Sequence, residues 1–169
     1  MKIALIASNV VKIANTTKKG SEIFDYILAT NLKKVARKQG VNLTVFASGN
    51  SKTPTKIQSV NFYSSTEDRH IGMENHKIFE LALVAKAVSM QKKFDLLHLS
   101  IGNGELILPF LPYLKRPVLI TMHGSLYEKS VQKYMTIFPK MSSNPPVPPP
   151  LKKSAPCEKP SKPRPGPAP

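Results

Sequence analysis

Two histidines stand at the ends of short apolar runs that have the length of buried strands, His98 and His123. An imidazole titrates near neutral pH, so it can accept a proton from a substrate hydroxyl or stabilise a polar group. For His98 we favour a structural, hydrogen-bonded role inside a sheet. For His123 we favour contact with a ligand, because Gly124 and Ser125 follow it immediately.

Small residues extend this predicted site. Gly124 lets the backbone approach a ligand closely, and Ser125 can cap a following helix whose free N–H groups attract an anion such as phosphate. Gly20 and Ser21 form a second candidate, because a loop that ends in glycine at a helix start can admit phosphates or sugars. Asn103, between two glycines, is the remaining candidate for substrate contact.

Several other kinds of site are not supported. The loop between residues 9 and 20 contains one glycine, so it is not a dinucleotide-binding fingerprint, and there is no P-loop. We predict no metal site and no cofactor, since no cluster of histidines or carboxylates has ligand spacing. The single cysteine, Cys157, rules out a disulfide within the chain and favours a reducing, cytoplasmic compartment.

Hydrophobic periodicity predicts strands that alternate with helices. The predicted strands are 2–8, 41–46, 57–63, 94–100 and 117–122, and the predicted helices are 21–40, 74–93 and 125–136, with a short helix broken by Pro109 and Pro112. This order predicts an α/β fold, a three-layer Rossmann-like domain with a mostly parallel sheet. Ligands of such sheets bind at the carboxyl ends of the strands, where loops 9–20, 100–104 and 123–125 should meet.

The first helix carries the clearest signals. Ser21 is the predicted N-cap, Glu22 and Asp25 suit the positive end of the helix dipole, and Gly40 suits the C-terminal stop. Its predicted apolar stripe consists of Ile23, Phe24, Ile27, Leu28, Leu32, Val35 and Ala36.

Composition divides the chain near residue 140. Of 16 prolines, 11 follow residue 141, so we predict one folded domain over 1–140 and a disordered, Pro/Lys-rich tail over 141–169. The formal charge of +15 favours solubility and nonspecific attraction to polyanions. We expect no specific nucleic-acid binding, and at most peripheral contact with an anionic membrane, because no apolar run approaches the roughly 20 residues of a membrane span.

The segments described so far, taken in order, resemble the N-terminal half of a GT-B glycosyltransferase of the family-4 (group 1) type. The resemblance covers about residues 1–138, and two features depart from the family pattern: Val41 replaces a common histidine, and the first loop lacks the usual glycine pair. The matching segments are Met1-Lys-Ile-Ala-Leu-Ile-Ala-Ser8, Lys19-Gly-Ser-Glu22, Gln39-Gly-Val-Asn-Leu-Thr-Val-Phe-Ala-Ser-Gly49, Phe94-Asp-Leu-Leu-His98 and Pro117-Val-Leu-Ile-Thr-Met-His-Gly124.

This resemblance implies the acceptor-side domain of an enzyme that moves a sugar from a nucleotide-sugar donor to a sugar, lipid or small-molecule acceptor. It implies that His123 contacts the transferred sugar or helps to stabilise the reacting centre, and that Gly20 lines the same cleft. The donor nucleotide is then a substrate, bound mostly by a second, C-terminal domain. We expect this chain to be a truncated member, inactive or nearly so unless that domain is supplied in trans.

Two other functions remain open from the sequence. One is a non-enzymatic α/β interaction module that presents the basic proline-rich tail to a partner. The other is an unrelated small-molecule binder with a flavodoxin-like sheet, although its phosphate loop would need more glycine or Ser/Thr than residues 9–21 offer.

Overall fold

A computed structural model describes residues 1–125, 127–133 and 136. Its strands are β1 (Lys2–Ala7), β2 (Asn42–Phe46), β3 (Lys56–Gln58), β4 (Leu96–Ser100) and β5 (Val118–Ile120), and its long helices are α1 (Gly20–Gln39) and α2 (His76–Ser89). Two 3-10 helices, Gln91–Lys93 and Glu105–Tyr113, flank β4. The predicted strand 57–63 is wrong in extent, because pairing with β2 involves only three residues, 56–58.

The five strands form one sheet in the order β3-β2-β1-β4-β5. All four strand pairs are parallel, with Leu5 of β1 opposite both Val45 of β2 and His98 of β4. Parallel strands bring their carboxyl ends to one edge, so the loops after β1, β4 and β5 meet there. The predicted α/β, Rossmann-like architecture is therefore confirmed.

Successive side chains of a strand point to opposite faces of the sheet, and this alternation produces two cores. On one face, Leu97 and Leu99 of β4 pack with Leu83 and Val84 of α2. On the other face, Leu5 and Val45, among others, pack with Ala29 of α1. The sheet is covered by helices on both sides, which gives three layers.

Helix α1 does not turn its predicted apolar stripe fully inward. Ile23, Phe24 and Val35 are exposed, and Ile27 has 52% of its surface exposed. The first half of the helix instead buries polar side chains against the sheet edge, a reversal that bears directly on the functional site.

The ends of α1 confirm one prediction and correct another. Gly40 terminates the helix in the left-handed conformation (φ 66°), where glycine carries no steric penalty. The N-cap is Lys19 rather than Ser21, and its side chain makes no capping hydrogen bond. Ser21 lies inside the helix, where its hydroxyl is free to bond a neighbouring carboxylate.

In the part of the chain that the structure describes, no helix is long and apolar enough to cross a membrane. Within the same residues, no group of three or more His, Cys, Asp or Glu is placed to hold a metal ion. Residues 129–133 and 136 are helical, so the helix predicted from 125 begins later. The predicted disordered tail, 141–169, lies outside the described residues.

Replacing a buried leucine of the sheet by alanine should cost more folding stability than replacing an exposed one. Leu99 is fully buried in β4, whereas Leu119 of the neighbouring strand is 49% exposed. We expect Leu99→Ala to lower the free energy of unfolding by about 2–5 kcal/mol, because it removes buried methyl groups and leaves a cavity. Leu119→Ala should cost about 1 kcal/mol or less. Urea unfolding of the whole chain measures both, and equal losses would contradict the described packing.

Candidate functional site

A cleft of about 210 Å³ opens at the carboxyl edge of the sheet. Strands β1 and β4, the start of α1, one side of α2 and the loop after β5 enclose it. Polar and charged side chains from these elements line it: Ser8, Lys19, Ser21, His76, Lys77, Glu80, Ser100, Glu105 and His123.

The hydroxyl of Ser100 is the central contact of this cleft. Ser100 Oγ donates a hydrogen bond to Asp25 Oδ1 at 2.6 Å and lies 2.8 Å from His123 Nε2. Three elements, α1, β4 and the segment after β5, are therefore joined through one oxygen atom. Serine occupies the middle of this chain, so it is not the arrangement of a hydrolytic triad, in which histidine lies between serine and aspartate.

Strand periodicity explains why these residues meet. Residues 98 and 100 of β4 share one face of the sheet, and the register His98↔Leu119 puts residues 121 and 123 on that same face. His98 Nε2 lies 2.7 Å from Thr121 Oγ1, deeper in the sheet. Burial, together with the charge of His123, lowers the pKa of His98. His98 is thus a neutral, hydrogen-bonded residue of the sheet layer, as the structural interpretation expects.

Asp25 is the most perturbed carboxyl group of the site. It is wholly buried, and its Oδ2 atom has no hydrogen-bond partner. Burial raises the pKa of Asp25 to about 7, with a further rise from the charge of Glu22, while the Ser100 hydrogen bond opposes the increase. A carboxyl group with this pKa changes its charge near neutral pH, and such groups are concentrated at functional sites.

The imidazole of His123 stands at the open side of the cleft. Partial burial lowers the pKa of His123, against the opposing effect of the Glu22 charge, so the ring is neutral at pH 7. The Phe24 ring meets it edge-on at a centroid distance of 5.4 Å. Since Nε2 is engaged by Ser100, Nδ1 is the nitrogen left to meet a ligand.

The first turn of α1 adds a second buried carboxylate. Glu22 has no exposed surface, and it accepts hydrogen bonds from Ser21 Oγ at 2.6 Å and from Lys19 Nζ at 3.3 Å. The Lys19 ammonium is half-exposed, so it neutralises Glu22 from the solvent side. One positive charge thus faces the two acids on this wall.

The α2 wall carries a third acid. Ser8 Oγ donates to Glu80 Oε1 at 2.7 Å and also accepts the N–H of Val10 at 3.2 Å, both inside the protein. Beside it, Asn9 is fully buried, and neither its amide nitrogen nor its oxygen has a partner within the described residues. The end of β1 is therefore unusually polar for a strand that is buried along most of its length.

The residues predicted from the sequence divide into two groups. His123 and Ser21 line the cleft, and Gly20 forms the first residue of α1 with open space around it. Asn103, Gly124 and Ser125 do not line it. Their contacts instead hold the loop that follows β5.

Hydrogen bonds between described residues hold that loop in place. Gly124 N–H donates to Asn103 Oδ1 at 2.7 Å, and His123 N–H donates to the Gly102 carbonyl at 3.0 Å. Ser125 Oγ accepts from Tyr127 N–H. A Cβ at position 124 would lie 2.6 Å from the Asn103 amide nitrogen, so the glycine leaves room for the Asn103 side chain. Asn103 and Gly124 act as positioning residues for His123.

Five buried polar residues in or beside the cleft are not predicted as site residues from the sequence. Glu22 and Asp25 are typical of a first helical turn, where acidic side chains interact favourably with the helix dipole. That interaction does not require burial, so the sequence does not indicate that both are buried. Ser8 and Ser100 looked like ordinary strand ends, although each continues the alternation of its strand onto a helix-covered face. The missed residues are Ser8, Glu22, Asp25, Glu80 and Ser100.

Comparison of the chain with models of known protein families gives no match. A search among curated proteins also finds no relative.

The free energy of unfolding should depend on pH through the ionisation of the buried Asp25 carboxyl group. Its folded pKa of about 7 exceeds the ordinary value of 3.8, so its contribution to stability is present below pH 4 and is lost as the pH rises through 7. Asp25→Asn cannot ionise. Between pH 5 and pH 8, wild type should lose about 2 kcal/mol more unfolding free energy than this variant.

Ser100→Ala is the matched variant for this measurement. It removes the hydrogen bond that lowers the Asp25 pKa, so the loss between pH 5 and pH 8 should become larger rather than smaller. Urea unfolding at the two pH values measures all three proteins. Parallel profiles for wild type and Asp25→Asn would contradict a buried, titrating Asp25.

Proposed function

We propose that this domain is the acceptor-side half of a glycosyltransferase, and that its carboxyl-edge cleft binds a sugar or another polyhydroxylated group. The observation that carries the proposal is the hydrogen-bonded chain Asp25–Ser100–His123 beside the start of α1. It presents a neutral imidazole to the cleft from a rigid support. The resemblance to GT-B enzymes supports the proposal as well, because it assigns a role in sugar transfer to the same residue, His123.

The charges of the cleft favour hydroxyl groups over phosphate. Three buried acids, Glu22, Asp25 and Glu80, lie in or next to it, and a fourth acid, Glu105, also lines it. Two lysines line it as well, Lys19, which is paired with Glu22, and Lys77, so acidic groups outnumber the cations. Like charges would repel an anionic ligand, whereas sugar hydroxyls can donate hydrogen bonds to carboxylate, serine and imidazole acceptors. This favours an uncharged acceptor group over the phosphate that the position of Ser125 suggested.

The Ser100 hydroxyl determines which nitrogen of His123 is free. When Asp25 is ionised, the Ser100 hydroxyl uses its only proton in the hydrogen bond to the carboxylate, so its oxygen accepts a hydrogen bond from the protonated Nε2 of His123. Nδ1 then carries a lone pair, which can accept the proton of an acceptor hydroxyl as that oxygen bonds to the anomeric carbon of the donor sugar. The bond from that carbon to the nucleotide phosphate breaks, and the nucleotide leaves with the bonding electrons. A second domain would supply the nucleotide-sugar site, and such an enzyme would act in the cytoplasm.

Glycoside binding tests this assignment. In the whole chain, methyl α-glucopyranoside and methyl α-mannopyranoside should shift the His123 ring resonance in NMR titrations, with saturation in the millimolar range, roughly 4 kcal/mol of binding free energy. His123→Ala should abolish binding. Ser100→Ala should weaken it about five- to tenfold, because the imidazole loses the bond that fixes its tautomer.

His70→Ala provides the control, since the exposed His70 lies outside the cleft lining. It should leave the titration unchanged. Saturable binding that leaves the His123 resonance unmoved would refute the assignment of this cleft. Donor-dependent sugar transfer by the chain alone, lost in His123→Ala, would support the cleft but contradict the division of the enzyme into two domains.

A further inference from the structure

A second, larger recess lies at the opposite edge of the sheet. It has a volume of about 380 Å³ and opens at the amino-terminal ends of β1, β2 and β3. Its polar and charged lining consists of Lys2, Asn42, Thr44, Lys56, Gln58 and Lys93.

The register explains why this corner of the sheet is polar. Lys2 pairs with Asn42, and Thr44 pairs with Lys56, so these side chains share the face that α2 covers farther along the strands. Strands buried on both faces of a parallel sheet are normally apolar throughout. Here α2 ends at Ser89, and residues 47–55, which connect β2 to β3, contain no helix. The polar side chains therefore stand uncovered.

The charged side chains that line the recess are all positive in the part of the chain that the structure describes. They are Lys2, Lys56 and Lys93, and the lining residues described include no acid. Within the described residues the ion pairs involve Lys12 and Lys19, so these three ammonium groups have no carboxylate partner. The neighbouring Asp95 carboxylate accepts the backbone N–H of Lys2 at 2.7 Å. Three unpaired cations around one concavity attract a multiply charged anion.

The rest of the lining suits a small organic anion. Buried Phe94 and half-buried Met90 form an apolar part of the wall, while Asn42, Thr44 and Gln58 offer amide and hydroxyl groups. A recess of this volume is in the range of small-molecule sites, which combine an apolar surface with a few polar anchors. Lysine binds phosphate oxygens as a point charge and suits such a ligand.

We propose that this recess binds a small molecule bearing two or more phosphoryl groups, at a site separate from the carboxyl-edge cleft. The two ends of the sheet then have opposite preferences. The carboxyl edge has an excess of acidic groups in and beside its cleft and takes hydroxyl groups, whereas the amino edge is lined by lysines and takes phosphate. This inference does not depend on the proposed sugar transfer.

Inorganic tripolyphosphate is the probe, titrated into the whole chain by calorimetry. Wild type should bind one equivalent saturably. Lys56→Gln with Lys93→Gln removes two of the three cations and keeps long polar side chains, so affinity should fall about tenfold or more. Lys33→Gln with Lys34→Gln removes the same charge from exposed positions of α1 and should change affinity less than about twofold.

Thermal unfolding of both double variants confirms that each is folded, and His123→Ala should leave tripolyphosphate binding intact, which separates this site from the sugar cleft. Equal weakening in the two double variants would show attraction to net charge alone and overturn the proposal. So would an absence of saturable binding. Tighter binding of a short single-stranded oligonucleotide through the same lysines would reject the small-molecule assignment.

Discussion

The hydroxyl of Ser100 is the contact on which the arrangement of the carboxyl edge depends. It holds the imidazole of His123, which reaches the cleft from a short segment after an edge strand, against a fully buried aspartate of α1. A hydroxyl has one proton, so the charge of Asp25 determines which way that proton points. Burial brings the pKa of Asp25 to about 7, and the imidazole is therefore tuned by a group that titrates in the same range.

The same parallel sheet produces two ends of opposite character. At its carboxyl edge, the alternation of β4 and of the segment after β5 turns serine and histidine toward α1, which meets them with Asp25. At its amino edge, α2 stops short and leaves lysine and amide side chains uncovered on the sheet face. Both sites follow from strand register combined with where each helix begins or ends, and neither needs a glycine-rich phosphate loop.

The fold could be predicted from the sequence because apolar periodicity depends on local spacing, and five strands alternating with helices permit few architectures. His123 could also be placed, since it follows an apolar parallel strand, and the carboxyl end of such a strand fixes the edge of the sheet at which it lies. Asp25 and Ser100 could not, because their roles depend on a contact between residues 75 positions apart. The predicted stripe of α1 failed for the same reason: the helix turns Glu22 and Asp25 inward to meet partners that its own sequence does not show.

The ring nitrogens of His123 offer the most direct test of the account. A ¹⁵N NMR spectrum of the whole chain at pH 8 should show the tautomer that is protonated at Nε2, because ionised Asp25 draws the Ser100 proton toward itself. In Ser100→Ala the two tautomers should mix. A wild-type ring protonated at Nδ1, or a spectrum unchanged by Ser100→Ala, would contradict the claim that this hydrogen-bonded chain presents a proton-accepting nitrogen to the cleft.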